Sequence, residues 1–450
     1  MGKPTIALAL AAAGVAMIVV LFGGVFATSA GGGNRFGAIA AQERASYAKQ
    51  TALASLVAGL SNGHTERYVR GLERRVAAHP VEGDTLALLA LAYQQRARET
   101  GDPTYYALSD KALQRASAVS GPPGLVLQAR ATLANTRHRF ADGLALARRA
   151  LGADPESGSA YGPLGDALLN LGRYREAFRA YDRMAVLAPG VGSFTRVANA
   201  RELLGRPAAA AQADELALST ATTIPEHAAW TRVQLGNIAF NQGRLAAAAK
   251  NYRAALAGYP RYVHGEAGLA RVEASQGHYS RAIVRLRHVV EVLPIPAYVI
   301  MLGDILHASG RDVAAQRQYA LVAVIEKLFA ANGVRTELQT AVFDLDHGRH
   351  VADALARART AFASAPGIYA EDALAWGLFR TGRCDGARSH SIHALRLGTR
   401  DALLMFHRAM IEHCLGAPSA QTWFRRALAT NPHFSFLWAP VARRAVAAGS

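Results

Sequence analysis

The chain is 450 residues long and carries 50 Lys and Arg against 33 Asp and Glu, a formal charge of +17. Only five of the basic residues are Lys, and the Arg are scattered along the chain, so no block of like charge marks a nucleic-acid footprint. Two cysteines, Cys384 and Cys414, are too few for a disulfide scaffold or a four-ligand zinc site.

From Pro4 to Asn34 no side chain is charged, and Ile6 to Phe26 is nearly all apolar. A run of that length, at about 1.5 Å per residue, spans the roughly 30 Å hydrocarbon core of a bilayer. Residues 1–33 therefore read as a signal peptide or amino-terminal transmembrane anchor, with small residues at Ala27 and Ala30 for a signal peptidase. The length favours an uncleaved anchor. A linker over 34–45 follows, opening in the Gly-rich "GGGNRFG". Lys3 before the run is balanced by Arg35, Arg44 and Lys49 after it, so the charge rule for orientation nearly cancels. An apolar export signal at the amino terminus places the body outside the cytoplasm.

The first helical pair legible downstream is "LLALAYQQRARETGDPTYYALSDKALQRA", with a long turn in which Asp102 before Pro103 makes a helix start. A second, "RHRFADGLALARRALGADP", places His138 at its turn. The pattern is clearest in "YGPLGDALLNLGRYREAFRAYDRMAVLAP". Tyr161, Leu164, Gly165 and Leu168 fall at i, i+3, i+4 and i+7, one face of a helix. After Gly172, Ala177, Tyr181 and Met184 repeat that spacing, and Pro189 stops the second helix. Gly172 stands where a left-handed residue must end the first helix.

The turn glycine returns at Gly205, Gly243, Gly277, Gly310, Gly348, Gly382 and Gly416, in steps of 33, 38, 34, 33, 38, 34 and 34. Leu235, Gly236, Ala248, Tyr252 and Ala255 frame Gly243, and Leu302, Gly303, Ala315 and Tyr319 frame Gly310. The two longer steps are expected to be a loop in "LSTATTIPEHAAW" and an overlong helix in "AVIEKLFAANGVRTEL". One unit has a degraded apolar face, with Thr340 and Asp344 where a Leu and an aromatic are expected.

A 34-residue helix–turn–helix with these positions resembles the tetratricopeptide repeat, in its bacterial form with an amino-terminal signal or anchor. The resemblance implies an all-α, right-handed superhelical solenoid of about ten or eleven units over 46–434, with a capping helix over 435–450. It also implies a concave side lined by the first helices. Its groove-facing positions in this chain are Asn170, Asn199, Asn237, Phe240, Asn241, Arg271, Asp304, His307, Trp376 and Arg380. The Asn amides could donate to and accept from a bound backbone, and Trp376 could anchor an apolar side chain. No Lys stands in a groove position, which argues against the family's terminal-carboxylate grip.

Catalytic and cofactor motifs are absent: no H-E-x-x-H, no phosphate-binding loop, no G-x-G-x-x-G after a strand and no G-x-S-x-G. His390, His393, His407, His413 and His433 enrich the carboxyl-terminal fifth in soft ligands, yet without the paired spacing a metal needs, so neither metal nor cofactor is expected. Cys384 lies two residues after one turn glycine and Cys414 two before the next, which puts both at the same end of adjacent units and within reach of a disulfide. The expected function is a non-enzymatic scaffold for protein or peptide partners at the membrane or envelope. The alternative is an envelope assembly factor that binds anionic polymers through its basic surface.

Overall fold

The computed structural model describes residues 65–120, 124–221 and 225–449. The expected anchor (1–33) and linker (34–45) lie outside the described residues. Among the described residues there are twenty-two α-helices, one short 3-10 turn and no strand. No helix among them is long and apolar enough to cross a membrane.

Helix α1 (Thr65–Ala78) precedes ten helical hairpins. They are α2 (Gly83–Thr100) with α3 (Thr104–Ser120), α4 (Gly124–Thr136) with α5 (Phe140–Ala153), α6 (Tyr161–Asn170) with α7 (Tyr174–Leu187), and α8 (Val191–Leu203) with α9 (Pro207–Thr220). Next come α10 (Pro225–Asn241) with α11 (Leu245–Gly258), α12 (Val263–Ser275) with α13 (Tyr279–Val292), and α14 (Pro296–Ala308) with α15 (Asp312–Ala331). The last are α16 (Glu337–Asp346) with α17 (Val351–Ser364), α18 (Ile368–Arg380) with α19 (Cys384–Ala394), and α20 (Ala402–Cys414) with α21 (Ser419–Thr430), followed by α22 (Ala439–Ala448). The second helices pack on the first helix of the next unit, at the α15 to α16 step through Tyr319 against Phe343, so the chain is an all-α helical repeat solenoid.

The eight turn glycines all take positive φ, between 65° and 84°. At Gly172 the Arg173 amide donates to Leu168 O at 2.8 Å, closing the first helix with the six-to-one bond that a left-handed residue permits. His138 fills the same place at φ 55° and Arg139 makes the same bond to Ala134 O. Asp102 caps α3 through a 2.9 Å bond from the Thr104 amide.

Within a unit, the small residues of the first helix admit an aromatic ring from the second. A Cβ on Gly165 would lie 2.3 Å from the Tyr181 ring, one on Gly236 2.4 Å from Tyr252, and one on Gly303 2.3 Å from Tyr319. Tyr181, Tyr252 and Tyr319 are all buried against this surface. Burial is divided among successive clusters along the array rather than gathered in one centre.

Two expected details are corrected. Pro225–Trp230 is helical, so the first long step lengthens a first helix instead of adding only a loop. The cap begins at Ala439; Ser435 instead closes a turn by accepting from the Leu437 and Trp438 amides. On the face expected to be degraded, Asp344 is buried and paired with Arg357. The second long step is the expected overlong helix, α15.

The solenoid closes on itself. The Tyr174 hydroxyl oxygen accepts from the Ile368 amide at 2.6 Å, across 194 residues. His138 Nδ1 lies 2.6 Å from Arg335 O, across 197 residues. At the same pitch, Cβ atoms on Gly172, Gly205 and Gly243 would meet Pro366 O at 2.6 Å, Gly398 O at 2.1 Å and Pro432 Cδ at 2.9 Å. Tyr174, Leu203 and Ile368 are buried together there, with Arg396 over the Tyr174 ring. The turns of the first coil thus form a seam with the inter-unit loops of the second.

Candidate partner-binding surface

The polar groups of the first helices are largely engaged within the protein, by a device that recurs. Asp166, Asn237 and Asp304 follow the small Gly165, Gly236 and Gly303 on their helices. Each accepts the hydroxyl of its own unit's Tyr: Tyr181 at 3.0 Å, Tyr252 at 2.8 Å and Tyr319 at 2.9 Å. Each also takes a donor from a later unit. Arg196 grips Asp166 with two nitrogens at 2.8 and 2.7 Å, Arg271 reaches Asn237 at 3.2 Å, and His347 reaches Asp304 at 2.8 Å. Burial drives the His347 pKa down, but the Asp304 hydrogen bond and charge outweigh it and hold the imidazole above its ordinary range.

Of the residues the sequence points to, Asn237, Asp304 and Arg271 therefore serve as struts between units. Phe240 is buried beneath the Arg271 guanidinium, 3.8 Å from ring centre to cation. Asn170 donates to Asp166 O in its own helix, and its carbonyl lies against Gly367 in the seam. Trp376 is 1% exposed, with its indole N–H on Asp346, so it is a core residue rather than an open anchor. Arg380 donates to Leu345 O and lies over the Trp376 and Trp438 rings. His307 is exposed and bonds Asp312 at 2.6 Å. Asn199 and Asn241 are the exposed amides, and Asn241 donates to Glu202 at 2.9 Å.

A feature that the sequence reading missed lies on α10, α12 and α14. Trp230, His264 and Tyr298 recur every 34 residues on three successive first helices and form a ladder. Their ring centroids are 5.8 Å apart from Trp230 to His264 and 5.9 Å from His264 to Tyr298. Tyr262 adds an edge to His264 at 5.2 Å and donates to Glu226 at 2.7 Å. Trp230 is exposed and the other two rungs are half-buried. Burial lowers the His264 pKa and raises that of Tyr298, so both rungs are neutral at pH 7. The 34-residue recurrence of rings was visible in the sequence; only the assumed groove offsets hid it.

Farther along, Phe436, Leu437 and Trp438 cross the ends of α14 to α16 and wall a cavity of about 650 Å³ with Tyr279, His307 and Arg349. Cys384 and Cys414 are joined in a disulfide with Cα atoms 6.2 Å apart, tying α19 to α20. No group of three or more His, Cys, Asp or Glu among the described residues could hold a metal.

The fold is an all-α solenoid of helix–turn–helix units. No family model matches the chain, and no curated protein matches its sequence. Solved structures similar to it include a tetratricopeptide repeat protein from Parabacteroides merdae, at 14% identity and TM-score 0.39, covering 54% of this chain and 98% of that one. Another is human IFIT1 in a dimer with m7Gppp-AAAA, at 14% identity and TM-score 0.44, covering 84% and 89%. A third is pilF of Pseudomonas aeruginosa, at 16% identity and TM-score 0.35, covering 47% and 92%.

Proposed function

We propose that the protein is a non-enzymatic scaffold that holds an extended segment of a partner protein along its first helices. The observation that carries this reading is the ladder of Trp230, His264 and Tyr298, with Trp230 exposed and its neighbours half-open on consecutive units. Neutral rings on successive units grip alternate side chains of an extended chain without demanding a charge. The exposed Asn199 and Asn241 supply amides for its backbone on adjoining units. Placement outside the reducing cytoplasm belongs to the same proposal; the Cys384–Cys414 disulfide and the apolar Ile6–Phe26 run support it.

The test is affinity capture of partners from the native cell with the full chain and with Trp230→Ala plus Tyr298→Ala. Loss of a partner with unchanged thermal melting supports the reading. Equal recovery from both proteins would remove the ladder from it. Recovery that collapses as salt rises, in both alike, would favour the anionic-polymer alternative.

A further inference from the structure

We propose that the cavity beneath Phe436, Leu437 and Trp438 binds a small aromatic acid: an apolar ring system that carries one carboxylate or phosphate. The cavity measures about 650 Å³, within the range that encloses a small organic molecule. Tyr279 of α13, Tyr319 of α15, and Phe436 and Trp438 of the segment before α22 give it ring-bearing walls from three parts of the chain. Such walls favour a flat apolar body.

An imbalance among the lining residues selects the charge of that body. Asp346 is the one acid in the lining, and its Oδ1 already accepts the indole N–H groups of Trp376 and Trp438. The two imidazoles are matched as well, His347 by Asp304 and His307 by Asp312. Arg349 and Arg444 are not. Neither makes a hydrogen bond or an ion pair among the described residues, although Arg349 is half-buried over the Phe343 ring, 5.7 Å from its centre.

Arg349 also departs from its counterparts at the other turns. In two earlier units the arginine at this place is neutralised three residues on, Arg139 by Asp142 and Arg173 by Glu176, each at 2.6 Å. Three residues after Arg349 the chain has Ala352. A half-buried guanidinium without an anion is a cost that a ligand's acid group removes, and its planar fork fits carboxylate or phosphate with two parallel bonds. The cavity shares no residue with the Trp230–Tyr298 ladder, so the two sites stand or fall separately.

Isothermal titration of the full chain with 2-naphthoate, 2-naphthyl phosphate, 2-naphthol and inorganic phosphate tests the site. At least one of the two naphthalene acids is expected to bind and to raise Tm, and the tighter one names the acid group. The neutral naphthol and the bare phosphate should each bind about tenfold more weakly or less, because each offers half of what the walls recognise. Arg349→Gln with Arg444→Gln should weaken the acid by about tenfold for each guanidinium removed. Melting of that variant without ligand should match the native chain, since neither arginine is bonded within it. Failure of both acids to bind overturns the proposal. So does equal affinity in the variant, which would put the probe elsewhere, and so does equal affinity for naphthol or for inorganic phosphate. Tighter binding of hexaglutamate than of either acid would assign the arginines to an acidic polymer and overturn it too.

Discussion

Trp376 and His407 lie face to face, their ring centroids 4.1 Å apart and their planes 13° from parallel. His407 Nδ1 bonds Asp372 at 2.8 Å, and its Nε2, otherwise without a hydrogen-bond partner, ends 3.9 Å from Asp346. The same Asp346 oxygen accepts the indole N–H groups of Trp376 and Trp438 at 3.0 and 3.1 Å. Asp401 faces the imidazole as a third negative charge. Three hairpins and the capping segment thus meet around one buried imidazole.

That imidazole makes stability depend on pH. Burial alone would lower the His407 pKa, but the charge and hydrogen bond of Asp372 outweigh it and raise it above the ordinary value. A raised folded-state pKa stabilises fully below the unfolded value, near 6.5, and that contribution is lost as pH climbs through the folded value. Burial also raises the pKa of Asp346 and Asp401, which acts in the same direction. The expected result is a Tm that falls as pH rises above about 6.5, with a shallower slope in His407→Gln. Identical slopes in both proteins, measured by differential scanning fluorimetry, would count against this account.

Gly236→Ala is expected to destabilise by about 1–3 kcal/mol, because its methyl meets the Tyr252 ring, which Asn237 and Arg271 hold in place. Gly258→Ala, at the end of α11 with open space around it, is the matched control and should cost nothing. Urea denaturation of both variants decides the matter; equal midpoints would show that the tyrosine moves aside freely.

The seam separates two turn glycines that are alike in sequence. Both Gly205 and Gly310 have positive φ, so alanine costs roughly 1–2 kcal/mol at either from backbone strain. At Gly205 the methyl would also sit 2.1 Å from Gly398 O, whereas at Gly310 it meets nothing. Gly205→Ala should therefore lose more stability than Gly310→Ala and expand the particle in small-angle X-ray scattering. Equal losses with unchanged dimensions would mean that the two coils are not in contact in solution.

The disulfide closes a separation of 30 residues between α19 and α20. Chain entropy assigns about 3–4 kcal/mol to a loop of that size. Cys384→Ser with Cys414→Ser, or reduction of the native chain, is expected to lower the denaturation midpoint accordingly. Thiol titration of unreduced, unfolded protein should find no free thiol.

Much of the fold was legible because it rests on local rules. Gly172, Gly205 and their successors mark left-handed helix ends, and the apolar periodicity marks the faces that must meet. His138 could be placed at its turn by phase alone. Pro225 misled, since proline opens a helix as readily as it ends one. The binding surface was less legible. Groove offsets say which way a side chain points, but not whether it is already held: Asn237 and Asp304 depend on tyrosines 15 residues on and on donors from later units. Trp376 reads as exposed until Phe406 and Trp438 pack on it. Nothing local in the sequence announces that Tyr174 will meet Ile368.

That last contact changes how the array can evolve. A repeat protein whose neighbours alone matter tolerates duplication of a unit anywhere along its length. Here an extra hairpin between Gly243 and Arg335 would shift every rung of the seam by one unit and set glycine turns against the wrong loops. Growth or loss is neutral to the seam only outside it, before its first rung or beyond its last, at Gly243 and Pro432. The pitch thus acts as a ruler that fixes the number of hairpins between facing rungs.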